Sequence, residues 1–273
     1  MADSVSRLFR IIEFMAESSD WVSLRTMARE LHINTASAYR ALNSLKELGY
    51  VRQDTHDSRY QLTLKIAGVS AHVLEKVQVR QSAHPFLQHL TSVTNETTHL
   101  AMLDGSEFVY IDKVDNTQAM RMRSRVGQRG QLHCTAAGKS MLAHLPEAEL
   151  APLLRRLKFQ PLTPNTIADA KTYREQLAAV RRQGYAVDDE ENEVGIRCIG
   201  APIFDHAGRL SGAVSISGWT ISMTRERLPQ LAPELLETSR RISQELGFRG
   251  EYQKEPPEST SVRTRTALKA RIR

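Results

Sequence analysis

SLRTMARELHINTASAYRALNSLKELGYV, residues Ser23 to Val51, reads as two helices joined by a tight turn. Leu24, Met27, Ala28 and Leu31 fall at i, i+3, i+4 and i+7, which marks one apolar helical face. His32-Ile33-Asn34 makes the turn. A second helix over 34–48 then carries Ala38, Leu42, Leu45 and Leu48 inward and stops at Gly49, a residue suited to a left-handed C-cap. The outward face of that helix is Thr35, Ser37, Tyr39, Arg40, Asn43 and Ser44. Short hydrogen-bonding side chains with one guanidinium are the set that reads base edges and phosphates in a major groove. A helix that only faces solvent would more often carry Glu/Lys pairs there. Ala36 at its start and Arg25 on the first helix complete the candidate DNA-contacting set of this helix-turn-helix.

Behind it, Tyr50-Val51-Arg52-Gln53, a polar turn Asp54 to Ser58 and Arg59-Tyr60-Gln61-Leu62 have the form of a β-hairpin. A hairpin directly after a recognition helix is the wing of a winged helix, with Arg52, His56 and Arg59 placed for phosphate or the minor groove. A plain hairpin capping a three-helix core is the alternative. Val5, Leu8, Ile11, Ile12 and Met15 supply the apolar stripe of a first helix in front.

The chain has 273 residues, enough for two domains with separate cores. No run of 18 apolar residues and no charged-then-apolar leader is present, so a cytoplasmic location without membrane contact is expected. Cys134 and Cys198 form no disulfide framework and fit a reducing compartment. The net charge of +6 is uneven: +2 over residues 1–80, zero over 81–248 and +4 over 249–273. The high pI is therefore mostly a property of the tail.

The expected organisation is a winged helix-turn-helix over 1–62, a linker helix over 63–80, an α+β domain over 81–248 and a basic, disordered tail over 249–273. In the third segment the pattern predicts a helix from His84 to Val93 with Pro85 in its first turn. Strands follow over Thr97–Leu103, Phe108–Ile111 and Ala119–Val126, the last from alternation of Met120 and Met122 with Arg121, Arg123 and Arg125. Helices over 135–144, 147–156, 169–183 and 224–246, and strands over 185–190, 196–204 and 210–217, complete it. One antiparallel sheet of five or six strands flanked by helices is an α+β domain of the GAF/PAS kind.

Two stretches of this domain carry chemistry. Asp188 to Glu193 gathers acidic and amide groups before an apolar strand containing Cys198. Acidic groups at a strand end accept hydrogen bonds from a polar ligand where they face a pocket, and are otherwise a solvated loop. Thr135-Ala136-Ala137-Gly138-Lys139 opens a helix with small side chains, and accessible amides at a helix N-terminus bind carboxylate or phosphate. Close packing explains small residues equally well. The glycine spacing of a Walker A loop is absent. Ser215 and Ser217 lie on one face of a strand. His84 and His89 fall on different helical faces and no CxxC or HxxxH spacing exists, so neither metal nor cofactor is expected.

The winged helix, the segment Gly127 to Ala143 (GQRGQLHCTAAGKSMLA) and DDEENEVGIRCIGAPIFD from Asp188 to Asp205 together resemble the IclR family of bacterial transcription regulators, over about Ser4 to Phe248. The resemblance is to members that regulate sugar-acid catabolism. It implies a small carboxylate effector held by the amides of Ala136 and Ala137, with further contacts from Asp188, Cys198, Ser215 and Ser217. It also implies operator DNA on helix 34–48 and wing 50–62, and homodimers joined into dimers of dimers. The tail departs from the family pattern.

The leading expectation is a repressor of sugar-acid or other organic-acid catabolic genes, relieved or reinforced by its effector. Two other classes fit the sequence as well. A GAF-like domain can be a cysteine-dependent enzyme such as a sulfoxide reductase, using Cys198 or Cys134, although no base is evident for either thiol. The second domain can also serve only for dimerisation.

Overall fold

The computed structural model describes residues 4–18, 20–69, 78–117 and 122–250, and it divides the chain into two units, Met1–Val77 and Gln78–Arg273. In the first unit, helix α1 (Ser4–Glu17) is followed by α2 (Leu24–Glu30) and α3 (Thr35–Glu47), then by strands β1 (Val51–Gln53) and β2 (Tyr60–Leu62). Both helices of the motif begin on side-chain caps: Ser23 accepts from the amide of Thr26 and Asn34 from that of Ser37. Helix α3 ends in a Schellman turn, with Gly49 N–H on Lys46 C=O and Tyr50 N–H on Leu45 C=O. That turn needs the positive φ of Gly49, +77°. Ile11, Met15, Met27, Leu42, Leu45, Val51 and Tyr60 close the core.

Two expectations about α3 are corrected. Ser37 is buried, because Ala41 four residues on is buried too and the packed face is one position wider than Ala38, Leu42 and Leu45 alone mark. Leu48 is 56% exposed, because it is the C-cap residue and the reversed chain packs Tyr50 on the core in its place.

In the second unit, a six-stranded antiparallel sheet runs in the order β5-β4-β3-β8-β7-β6. Its strands are β3 (Thr97–Asp104), β4 (Glu107–Val114), β5 (Arg129–Gly130), β6 (Ala186–Asp189), β7 (Ile196–Phe204) and β8 (Leu210–Trp219). Helices α4 (Gln78–Thr94) and α8 (Leu228–Glu245) pack on one face, and α5 (Ala136–Ala143) packs on the other and carries α7 (Ala170–Gln183). Helix α6 (Glu147–Arg156) joins the core on the α5 side through Leu150, Leu153 and Leu154. Helix α4 begins six residues before the sequence predicts, so Pro85 lies inside it rather than in its first turn.

The strand expected over 119–126 is not formed among its described residues. Met122 to Arg125 have no strand partner; Lys113 Nζ instead donates to the carbonyls of Met122 and Ser124, at 2.9 and 2.7 Å. Met122, Arg123 and Ser124 line a cavity wall, and the edge of the sheet is β5, paired with β4 through Phe108↔Gly130. Residues 118–121 of that segment, 70–77 of the expected linker helix and 251–273 of the tail lie outside the described residues. Residues 65–69 are helical.

Close approach explains the small residues of α5. A Cβ on Gly138 would stand 2.6 Å from the Leu132 backbone, and one on Gly200 of β7 would stand 2.8 Å from Ala136. The helix N-terminus is thereby pressed against the middle of the sheet.

Candidate functional site

On the first unit, α3 presents Thr35, Ala36, Tyr39, Arg40 and Ser44 to solvent, with Asn43 half-buried. Tyr39 is 49% exposed, unusual for a ring with a packing role. Ser37 faces the helix flank, where its hydroxyl receives Arg40 Nη2 at 3.4 Å, so it positions the guanidinium and does not present itself. Arg25 on α2 is exposed. In the wing, Arg52 donates to Gln61 Oε1 at 2.7 Å and stacks 5.1 Å from the Trp21 ring, neither of which neutralises it. Arg59 is bonded to Asp57 at 2.6 Å, which cancels its charge locally, while His56 at the hairpin tip is exposed.

On the second unit, all six residues singled out from the sequence, Ala136, Ala137, Asp188, Cys198, Ser215 and Ser217, line one cavity of about 180 Å³. They come from α5, β6, β7 and β8, and the strand register brings them together: Cys198 pairs with both Asp188 and Ser217, and Gly200 with Ser215. An apolar cavity of about 150 Å³ holds a benzene-sized molecule, so this one fits a single small molecule.

Part of its lining is polar. Thr135 caps α5 by accepting from Gly138 N–H, and Lys139 N–H bonds Thr135 C=O, which leaves the amides of Ala136 and Ala137 as the helix donors without an intrahelical acceptor. Asp188 is 2% exposed; its Oδ1 accepts from the amides of Glu191 at 2.8 Å and Asn192 at 3.3 Å. Burial raises its carboxyl to about 7, against the opposing pull of Lys139 and those two amides. It is therefore divided between carboxylate and acid near neutrality and can accept or donate.

Residues missed in the sequence complete the wall. His99 of β3 is buried with Nε2 2.7 Å from Ser124 Oγ, and its ring lies 4.6 Å from that of Tyr110. Burial lowers its pKa to about 3, so it is a neutral imidazole. No alternation in TTHLA marks its place on the cavity side of β3; the pairing of His99 with Ser215 of β8 does. Lys139, to which the sequence pattern assigns no role, is fully buried and donates to Glu191 Oε1. That pair holds the acidic segment against α5. Nothing in the spacing of residues 52 apart announces it.

Neither thiol is set up as a nucleophile. Burial pushes Cys134 up to about 12 and moves Cys198 further in the same direction, with the Asp188 charge adding to both. Among the described residues no group of three His, Cys, Asp or Glu is placed to hold a metal, and no helix is long and apolar enough to cross a membrane.

The IclR helix-turn-helix family model matches residues 4–55, and that of the bacterial transcriptional regulator IclR C-terminal domain matches 71–244. The chain belongs to the IclR family of transcriptional regulators. It is 35% identical over 245 residues to the HTH-type transcriptional regulator KdgR of Dickeya chrysanthemi, covering 90% of this chain and 80% of that one. It is 30% identical over 242 residues to the transcriptional repressor IclR of Escherichia coli, covering 88% of each. The crystal structure of the Thermotoga maritima IclR matches with 38% identity and a TM-score of 0.78, over 90% of this chain and 99% of that one. As an IclR-family regulator the chain is not the thiol-dependent enzyme that its two cysteines left open.

Proposed function

We propose that this IclR-family regulator is a cytoplasmic repressor that binds operator DNA as a homodimer, or as a dimer of dimers, and changes its affinity when a small sugar acid enters the cavity of its second unit. One observation carries the reading: two helix-terminal amides, a buried carboxyl and two buried serines converge on a cavity sized for a single small molecule. Amides of Ala136 and Ala137 suit a carboxylate, and Asp188, Ser215 and Ser217 suit hydroxyl or keto groups, with Cys198 filling the wall between them. The alternative of a purely dimerising second domain has no use for such a cavity. On the first unit Thr35, Tyr39, Arg40 and Asn43 are the groups offered to base edges, and Arg25, Arg52 and His56 those offered to phosphates.

The test is a thermal-shift screen of aldonates and keto-deoxy sugar acids on the purified protein, followed by operator binding with and without each hit. A hit should raise the melting temperature and weaken operator binding. Ala137→Val should lose the shift, because the added methyls cover the amides, while operator affinity in the absence of ligand stays at the wild-type level. A hit that protects Ala137→Val equally would overturn the helix-terminal site.

A further inference from the structure

The cavity wall carries groups of two kinds. The residues bearing the α5 amides line it together with Ser215, which is 2% exposed yet has no hydrogen-bond partner for its hydroxyl among the described residues. At its rim is Arg123, exposed, lining the same cavity and without an ion pair or hydrogen bond among the described residues. The other cations nearby are already engaged. Lys139 is committed to Glu191, and Arg129 to Asp104 and Glu107. Of the acidic groups on the wall, Glu193 disfavours an anionic group beside it, so such a group gains from a cation it can reach.

We propose that the effector is anionic at both ends: a carboxylate on the amides of Ala136 and Ala137, and a second carboxylate or a phosphate on the Arg123 guanidinium. Its middle carries hydroxyls for Ser215, Ser217 and Asp188. Guanidinium binds either oxyanion in the same bidentate geometry, so the shared chemistry is a linear polyhydroxy acid with a second oxyanion at its far end. The segment bearing Arg123 is suited to this task. Its backbone is anchored by Lys113 at the carbonyls of Met122 and Ser124, and Ser124 is bonded to His99, so the guanidinium is carried on a fixed stretch of wall. This deepens the effector reading above and rests on it.

The experiment is calorimetric titration of the full chain with three probes: gluconate, with one anionic end; galactarate, with a carboxylate at each end; and 6-phosphogluconate, with a carboxylate and a phosphate. One or both of the doubly anionic probes should bind about 10- to 100-fold more tightly than gluconate, the range of one charged hydrogen-bonded contact. Arg123→Gln should abolish that preference, leave gluconate affinity and operator binding unchanged, and keep the wild-type circular dichroism, as expected for an exposed side chain. Arg123→Lys should restore part of the preference. Whether galactarate or 6-phosphogluconate keeps the advantage identifies the oxyanion. Gluconate binding as tightly as both, or a uniform loss across the probes in Arg123→Gln, overturns the second anionic end and leaves the effector cavity standing. Binding of none of the three at millimolar concentration overturns both.

Discussion

Asp188 shows how much one residue's surroundings decide. Its folded-state value of about 7 lies above its ordinary 3.8, so the native protein holds this proton more tightly than the unfolded chain. Stability from this group is complete below about pH 4 and is lost as pH rises towards 7, amounting to at most about 4 kcal/mol by linkage. Asp188→Asn keeps an oxygen for the amides of Glu191 and Asn192 and removes the ionisation. Urea unfolding should then show the variant gaining on the wild type between about pH 4 and pH 7; parallel pH profiles would mean that Asp188 ionises without cost. Arg40 is the corresponding residue on the other unit. Arg40→Ala should weaken operator binding by about 1–3 kcal/mol if it reads a guanine, and weaken random DNA far less. A competition assay with both DNAs distinguishes base reading from a phosphate contact, which would reduce the two equally.

At the scale of elements, α5 is held by steric fit and by one buried ion pair. Gly138→Ala puts a methyl against the Leu132 backbone, where no flexible side chain can yield, and should destabilise the second unit by about 1–3 kcal/mol. Lys139→Met leaves Glu191 charged and buried, and should cost about 3–5 kcal/mol, whereas Lys139→Met combined with Glu191→Leu should recover most of it. Denaturation of the three variants measures both effects. Failure of the double variant to recover would show that Glu191 serves the fold by more than its pairing with Lys139. In the first unit the caps Ser23 and Asn34 and the αL residue Gly49 set where the helices begin and end, and the sequence displays all three.

At the scale of the whole molecule, the two units have separate cores, so ligand should act on them unequally. An effector at 100 times its Kd adds about 2.7 kcal/mol to whatever unfolds with its site. Thermal unfolding should show a transition that rises with effector concentration and, where the units unfold separately, one that does not move. A single transition shifting as one would show that the units unfold together.

The helix-turn-helix, the wing and most strands of the second unit were legible in the sequence because their signals are local. Caps lie within a few residues of what they cap, and burial repeats at the period of the element. The six cavity residues were also singled out beforehand, some by local chemistry and others by the family resemblance, but only the fold shows that α5, β6, β7 and β8 bring them to one space. The failures share one physical cause. Ser37 turns on how wide a packed face is, Leu48 on where the reversed chain packs Tyr50, Met122 to Arg125 on a lysine of β4, and Lys139 on a carboxylate 52 residues away. His99 needs a sheet register to place it. Such relations depend on what approaches a residue from elsewhere in the chain, and periodicity along the sequence carries no information about that.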